Sequence, residues 1–492
     1  MTIGLSPKPP FEENITKPTD PDKKALYPFQ KKGVKWFQEH NGIGLLADDM
    51  GLGKSCQALT YLKINPELRP VLIVCPASIK INWQREIEMW CNESSFLITG
   101  RRSSALPSVS FYIINYDILA EEMKIKKPLK NGKIKEVKVL KDSSWIFKLG
   151  TMKLKAIVAD ECQAIANATS IRTKGFIALR KLNNKIKFMP LSGTPIKNKP
   201  AEFFTILNLL AEKEFPNRWK YLHHYCDPKH NGFGWTFNGA SNIPELFQRI
   251  QPFMLRRTKN AVLKDLPPKR KIIVPMEVDE IAIKNYNTAS AEFIEWIQNH
   301  ETAGMELQNN IDRLKQLAYI AKRNSVIAWI EQYLESDNKL VVGLYHKHAM
   351  EDLYSHFKKI AVFIDGSVTG QKRQDAVDIF QKDKKVKLIL CQIITVPGLT
   401  LTAAPATCTI EFSWTPADHL QFEDRVHRIG QEADSVTAYY LIAPQTVDED
   451  SMAMVNNKFT VLTQVLDGKD NADIFDNSFL LQILKKYKKK RL

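Results

Sequence analysis

Residues 48–55 read DDMGLGKS, and the stretches on either side decide how that string folds. Before it, GIGLLA (42–47) is a short apolar run suited to a buried strand. After it, KSCQALTYLK (54–63) has helix-forming composition. A strand, a glycine-containing loop and a helix N-terminus make an anion site, because backbone N–H groups and the helix dipole both point at the ligand. On this reading Asp49, Met50, Gly51, Leu52 and Gly53 cradle phosphate, and Lys54 reaches the β- and γ-phosphates. The Ser55 hydroxyl then ligates Mg2+. The usual G-x-x-x-x-G-K-[ST] pattern is not met, since Asp48 stands at its first glycine.

Three further strings extend the site. LKAIVA (154–159) reads as a buried strand ending in Asp160-Glu161-Cys162-Gln163. Acids at the carboxyl end of a parallel strand sit where open α/β sheets bind ligands. There Asp160 suits Mg2+ and Glu161 suits orienting and deprotonating an attacking water. LSGTP (191–195) follows another apolar run, and its hydroxyl residues Ser192 and Thr194 are candidates for sensing the γ-phosphate. Far downstream, QFEDRVHRIGQ (421–431) places Arg425 and Arg428 three apart on an expected helix, facing one way. Guanidinium groups match the charge that develops on a transferred phosphoryl group, a contribution of about 10³–10⁵ in rate.

Taken in order, LYPFQKKGVKWF (26–37), DDMGLGKS, VLIVCPASIKINWQREI (71–87), INYDIL (114–119), DECQ, LSGTP and QFEDRVHRIGQ resemble the Swi/Snf family of superfamily-two helicase-like ATPases. The region 225–269, with W-x-x-x-G-A-S-N and L-R-R-x-K-x-x-V-L-x-x-L-P-P-K, is similar to the annealing-helicase, fork-remodelling branch. The resemblance implies an α/β fold of two tandem RecA-like P-loop lobes, parallel sheets flanked by helices, with helical insertions. It implies ATP and Mg2+ as cofactors and double-stranded or branched DNA as partner. It implies that Gln30 lies near the adenine and that Ser78, Asn82, Trp83 and Thr402 lie on or beside DNA. Gln163, Ser192, Thr194, Gly398 and Gln421 would couple the two ligands, with Thr400 in the same second-lobe motif as Gly398 and Thr402. Two departures stand out: Gln163 where the family often has His, and Ile393 and Pro397 in the fifth motif, CQIITVPGLTLTAA (391–404).

Composition agrees with a polyanion partner. The 492 residues carry 70 Lys and Arg against 54 Asp and Glu, a formal charge of +16. The seven cysteines show no C-x-x-C spacing and fall largely in apolar runs, which predicts buried thiols in a reducing compartment. The expected location is therefore intracellular: the cytoplasm of a prokaryotic or phage-infected cell, or a nucleus. No signal peptide is visible, and the uncharged stretch 388–410 reads as strand plus loop, not as a membrane span. His223, His224, Cys226 and His230 match no common zinc-finger spacing, so no structural zinc is expected.

The chain divides into a flexible arm (1–24), a first lobe (25–269), a second lobe (270–470) and a basic tail (471–492). A mostly helical protrusion is expected at about 198–251 and a helical insertion at about 277–335, with Leu314, Leu317, Ile320 and Ile327 at helical spacing. Lys-rich arms around Asn131-Gly132 predict a basic hairpin at 124–141, a candidate DNA wedge or a plain solvated hairpin. The tail segment KKYKKKR (485–491) suits non-specific phosphate contacts. The resulting expectation is an ATP-driven translocase on double-stranded DNA that remodels branches, with a separate targeting protein as a candidate partner and no membrane. The alternatives are a protein-displacing remodeller, an RNA helicase, or a DNA-binding scaffold with a weak ATPase.

Overall fold

The computed structural model describes residues 25–128, 134–183, 185–230, 232, 234–263, 266–299, 305–368, 370–396 and 398–468. The arm at 1–24, the Asn131-Gly132 turn, Pro397 and the tail at 471–492 lie outside the described residues. The chain forms two compact units, Met1–Val262 and Leu263–Leu492.

The first unit contains strands β1 (Leu45–Leu46), β2 (Val71–Cys75), β3 (Ser95–Leu97), β4 (Phe111–Asn115), β5 (Glu122–Pro128), β6 (Ile134–Leu140), β7 (Ala156–Asp160), β8 (Lys187–Leu191), β9 (Lys229–His230), β10 (Trp235–Thr236) and β11 (Met254–Leu255). Seven make one sheet in the order β11-β1-β8-β7-β2-β4-β3, parallel at every pairing. Every residue of β2, β4 and β7 is buried. Such continuous apolar strands are what a parallel sheet covered on both faces requires. Helices Lys54–Lys63 and Lys80–Cys91 carry the chain between strands and contribute Leu59, Leu62, Trp83 and Ile87 to the core. Because β1, β8 and β7 are neighbours, the loops leaving their carboxyl ends meet, and those loops hold DDMGLGKS, LSGTP and DECQ.

The expected protrusion contains helices Phe204–Leu210, Arg218–Tyr225 and Ile243–Ile250. It also contains a small antiparallel hairpin, β9 with β10, that helical patterning did not anticipate. The basic segment forms the antiparallel pair β5–β6.

The second unit has β12 (Lys269–Pro275), β13 (Leu340–Leu344), β14 (Ala361–Ile364), β15 (Leu388–Gln392), β16 (Ala406–Thr409) and β17 (Val436–Ile442). They form a sheet in the order β12-β17-β16-β13-β15-β14, again parallel throughout. The strand at Lys269–Pro275 was not read from the sequence, because KRKIIVP opens on three consecutive basic residues. Its place at the sheet edge, paired along all of β17, accounts for that pattern.

The insertion is two helices, Glu280–Asn299 and Met305–Leu334. Its buried face departs from the apolar spacing. Ile320 is exposed, whereas Lys315 and Lys322 are buried. The Lys322 ammonium donates to the Ile410 and Leu441 carbonyls and to Asp448 at 2.5, 2.7 and 2.6 Å. Lys315 donates to the Phe412 carbonyl at 2.8 Å and sits 3.5 Å from the Trp414 ring centre. Apolar spacing misses such positions, because a lysine stem buries like a hydrocarbon once its head finds acceptors.

All seven cysteines are buried and unpaired. Within residues 388–410 lie β15 and β16, and no helix among the described residues is long and apolar enough to cross a membrane.

Candidate nucleotide site and its supports

After β1 the backbone turns through Gly51 (φ 84°) and Gly53 (φ 73°) into helix Lys54–Lys63. Gly53 also allows a close approach, since a Cβ there would lie 2.5 Å from the Gln30 amide nitrogen. Gln30 is buried against the loop, donating to the Leu52 carbonyl at 3.1 Å and accepting from the Tyr27 N–H at 2.9 Å. The Lys54 ammonium folds back onto the Asp48 and Asp49 carbonyls at 2.8 and 3.3 Å. Burial lowers its pKa, while Glu161, Asp48, Asp160 and Asp49 pull the other way. Ser55 is half-buried in the first helical turn.

Asp160 ends β7 and is pushed up to about 7, first by burial and then by the adjacent Glu161. The Trp83 indole N–H at 2.8 Å, Lys54 and the Glu161 N–H at 2.9 Å act against that shift. Glu161 has φ of 48°, the left-handed region that a side-chain-bearing residue seldom occupies. That backbone turn opens the way for a chain of contacts. Gln163 donates to the Glu161 carboxylate at 2.6 Å, and the Ser192 hydroxyl donates to the Gln163 amide oxygen at 2.6 Å. The Thr194 N–H in turn donates to the Ser192 hydroxyl at 3.0 Å. Thus Gln163, Ser192 and Thr194 join the acidic pair to the LSGTP loop. Gln163 makes both contacts through one amide, with a donor toward the acid and an acceptor toward the hydroxyl. Gly193 lets this loop meet the phosphate loop: a Cβ there would fall 2.5 Å from Met50 Cγ.

The structure also shows residues that motif reading left without a role. Asp48 is fully buried, and a buried carboxylate needs partners. Arg257 donates Nε to Asp48 Oδ1 at 2.9 Å and Nη2 to Asp48 Oδ2, and Gln57 adds a third donor at 3.1 Å. Arg256 donates to the Ala47 and Gly193 carbonyls at 2.9 and 3.2 Å and lies 3.3 Å from the Asp49 carboxylate. The Lys259 N–H donates to the same carboxylate at 3.0 Å. The pairing of β11 with β1 brings these groups beside the loop. Asp48 therefore replaces the first glycine because a forked arginine holds it. The sequence did carry a signal, since two adjacent acids in a phosphate loop demand countercharge.

The first-unit residues expected at or beside DNA differ in exposure. Trp83, expected beside DNA, is 2% exposed, and its indole supports Asp160. The cause is the pairing of β2 with β7, which sets the helix after β2 over the end of β7. Ser78 is exposed in the turn after β2, and Asn82 is half-buried in the following helix.

In the second unit the helix Pro416–Glu423 ends before both arginines, so Arg425 and Arg428 lie in turns and not on a helix. They still converge, because Arg425 and Arg428 donate to the Leu399 carbonyl at 3.2 and 2.7 Å. Arg428 also donates to the Thr400 hydroxyl at 2.8 Å, and Arg425 to the Gln421 carbonyl at 2.6 Å. Gly398, with φ of 82°, starts this loop. Thr402 lies apart from the arginines, accepting from Gln381 at 3.4 Å. The departing Ile393 is buried in a core cluster with Val396, Leu401 and Phe422. In the protrusion, His224 pairs with Glu245 at 2.6 Å and Cys226 is buried. Among the described residues no three His, Cys, Asp or Glu gather as metal ligands.

The donor set of the first unit fits a nucleotide with a divalent cation. Backbone N–H groups and Lys54 suit phosphates, the Ser55 hydroxyl and Asp160 suit the metal, and Glu161 suits a water.

Residues 29–335 match the SNF2-related domain and residues 322–430 the helicase conserved C-terminal domain. The chain is 30% identical to the mouse (Mus musculus) DNA annealing helicase and endonuclease ZRANB3, over 91% of this chain and 42% of that protein. It is 32% identical to the Caenorhabditis elegans homolog of SWI/SNF-related matrix-associated actin-dependent regulator of chromatin subfamily A-like protein 1, over 89% of this chain and 62% of that protein. The chain thus spans between about two fifths and three fifths of the length of these relatives. A solved structure, the Sulfolobus solfataricus SWI2/SNF2 ATPase core in complex with dsDNA, aligns over 90% of this chain and 97% of that one, at 24% identity and a TM-score of 0.41. With the SNF2-related domain matched over more than half its length, the chain belongs to the SNF2-related family of helicase-like, DNA-dependent ATPases.

Proposed function

We propose that this chain couples ATP hydrolysis to movement along double-stranded DNA and that it works on branched DNA, annealing strands, regressing forks or migrating branches. The observation that carries the ATPase reading is the unbroken contact path from Asp160 and Glu161 through Gln163 and Ser192 to Thr194. Such a path ties the state of the acidic pair to a neighbouring loop. Bound Mg2+ would supply Lewis-acid stabilisation of the phosphate oxygens. Lys54 would neutralise phosphate charge, Ser55 and Asp160 would hold the metal, and Glu161 would orient water and accept its proton. Arg425 and Arg428 bring guanidinium groups of the kind that stabilise a transferred phosphoryl. The charge of +16 supports a polyanionic track, and the likeness to a DNA annealing helicase and endonuclease supports strand annealing as part of the task.

The test is steady-state ATP hydrolysis by wild type and Glu161→Gln with no nucleic acid, single strand, blunt duplex, forked DNA and duplex RNA at one salt concentration. The expected result is stimulation by DNA, greatest with forks and lost in the variant. Equal stimulation by blunt duplex would favour a general translocase or protein-displacing remodeller. Stimulation by RNA alone would overturn the DNA assignment, and no turnover with any ligand would leave a scaffold.

A further inference from the structure

Trp219 and Trp235 are 55% and 47% exposed, the tryptophans most open to solvent among the described residues. They come from different elements, helix Arg218–Tyr225 and strand β10, yet they flank one ring, His223. The His223 ring lies 4.0 Å from Trp219 and 5.0 Å from Trp235, with Phe237 at 5.0 Å, and His230 is 5.3 Å from Trp235. Trp219 also meets Phe237 at 5.8 Å, yet about half of each tryptophan stays open to solvent.

The surroundings are basic. Arg218 and Lys220 are exposed on either side of Trp219 in sequence, and Lys229 pairs in register with Thr236, next to Trp235. Beside the rings lies a cleft of about 500 Å³ lined in part by Pro216, Asn217, Lys220 and His223. Glu214, which lines this cleft, lies 3.7 Å from Arg249, nearby Glu245 is engaged by His224 and Tyr225, and exposed Lys229 lies 3.3 Å from Asp227.

Half-exposed aromatic rings with interleaved cations are the combination that holds single-stranded nucleic acid, bases on the rings and phosphates on the cations. We propose that this rim, Trp219, His223 and Trp235 with Arg218, Lys220 and Lys229, is a stacking site for unpaired DNA bases. It rests on the branched-DNA reading above, since a branch is where unpaired bases occur, and it names the part of the substrate that the protrusion grips.

The test measures binding of a fluorescent oligodeoxythymidine to the full chain without nucleotide. Trp219→Ala with Trp235→Ala is expected to weaken binding about tenfold or more, and Tyr at both positions to restore most of it. ATP turnover stimulated by blunt duplex should be unchanged. Unaltered oligonucleotide affinity in the Ala variant would overturn the proposal. So would tryptophan-dependent capture of a proline-rich peptide with oligonucleotide binding indifferent to both tryptophans. If the Ala variant also loses duplex-stimulated turnover, wild type cross-linked to an oligonucleotide carrying 5-iododeoxyuridine decides. Adducts on Trp219 or Trp235 uphold the site, and adducts only elsewhere overturn it. Failure of the broader reading is distinct: wild type would bind the oligonucleotide yet show no DNA-stimulated hydrolysis.

Discussion

Each unit buries a cluster of charge, and the two clusters are balanced differently. In the second unit Glu423 is almost wholly buried, 2.8 Å from the ammonium groups of both Lys269 and Lys271, and it also accepts from Tyr440. Burial would raise its pKa, but the two lysines outweigh that and hold it well below the usual carboxylate range. In the first unit Asp160 is also buried, and burial with the neighbouring Glu161 pushes it up to about 7 despite Lys54 and Trp83. The first cluster holds more negative charge than its own groups neutralise, whereas the second is complete. Completed charge marks structure, and uncompleted charge at the carboxyl ends of parallel strands marks a site for a cation-bearing ligand.

Removing one carboxylate from each cluster sets the comparison most directly. Glu161→Gln is expected to lower ATP turnover about 10²–10⁴-fold with nucleotide binding kept, as read by steady-state kinetics and a nucleotide-binding titration. Glu423→Gln leaves Lys269 and Lys271 with Asp424, 3.3 Å from Lys269, as the one remaining carboxylate of the cluster, and is expected to cost about 3–5 kcal/mol in denaturant unfolding. Equal loss of stability in both variants would break the distinction.

Arg257→Met tests whether the phosphate loop shares the structural kind of balance. It orphans the buried Asp48 and should destabilise the first unit by about 3 kcal/mol while raising KM for ATP. An unchanged KM and unfolding midpoint would mean that Gln57 alone satisfies Asp48.

A smaller effect concerns His419, buried beside the balanced cluster, whose Nε2–H donates to the Ser413 carbonyl at 3.1 Å. Burial lowers its pKa to about 4, against opposing contributions from Ser413, Asp418 and Glu423 and a reinforcing one from Lys271. The folded state thus binds fewer protons than the unfolded chain between about pH 6.5 and 4, so stability is present above that window and lost as pH falls through it. The loss at pH 5 should be about 2 kcal/mol relative to neutral pH, and urea unfolding of His419→Gln should show a shallower decline.

The smallest effect is expected at the β5–β6 hairpin. Lys124 and Lys138 are exposed and only loosely paired with Glu136 and Glu122, at 3.2 and 4.0 Å. Reversing Lys124, Lys126 and Lys138 to Glu should reduce fork-stimulated turnover a few-fold, in a salt-dependent way. Unchanged fork activity would leave it as a solvated hairpin.

Much of this molecule was legible in sequence because its signals are local. Apolar runs such as VLIVC and AIVAD are strands because both faces of a parallel sheet are dry. DDMGLGKS is a strand-to-helix turn because glycines at 51 and 53 permit left-handed backbone. The acids of DECQ sit at a strand end for the same reason of order along the chain. Less legible were elements whose pattern mixes charge with apolar residues, such as β12 and the buried face around Lys322. Their burial depends on partners that no periodicity contains.

By itself, then, the sequence determined which residue types stand at each strand end and each loop, since covalent neighbours and backbone sterics suffice for that. Only the tertiary structure decided which of them meet. Arg257 reaches Asp48 across 209 positions because β11 pairs with β1. Trp83 meets Asp160 across 77 positions because β2 lies beside β7. The two late arginines share the Leu399 carbonyl although the helix stops before them. Strand order in a sheet is chosen by the summed burial of the whole unit, so such contacts are properties of the packed chain and not of any motif in it.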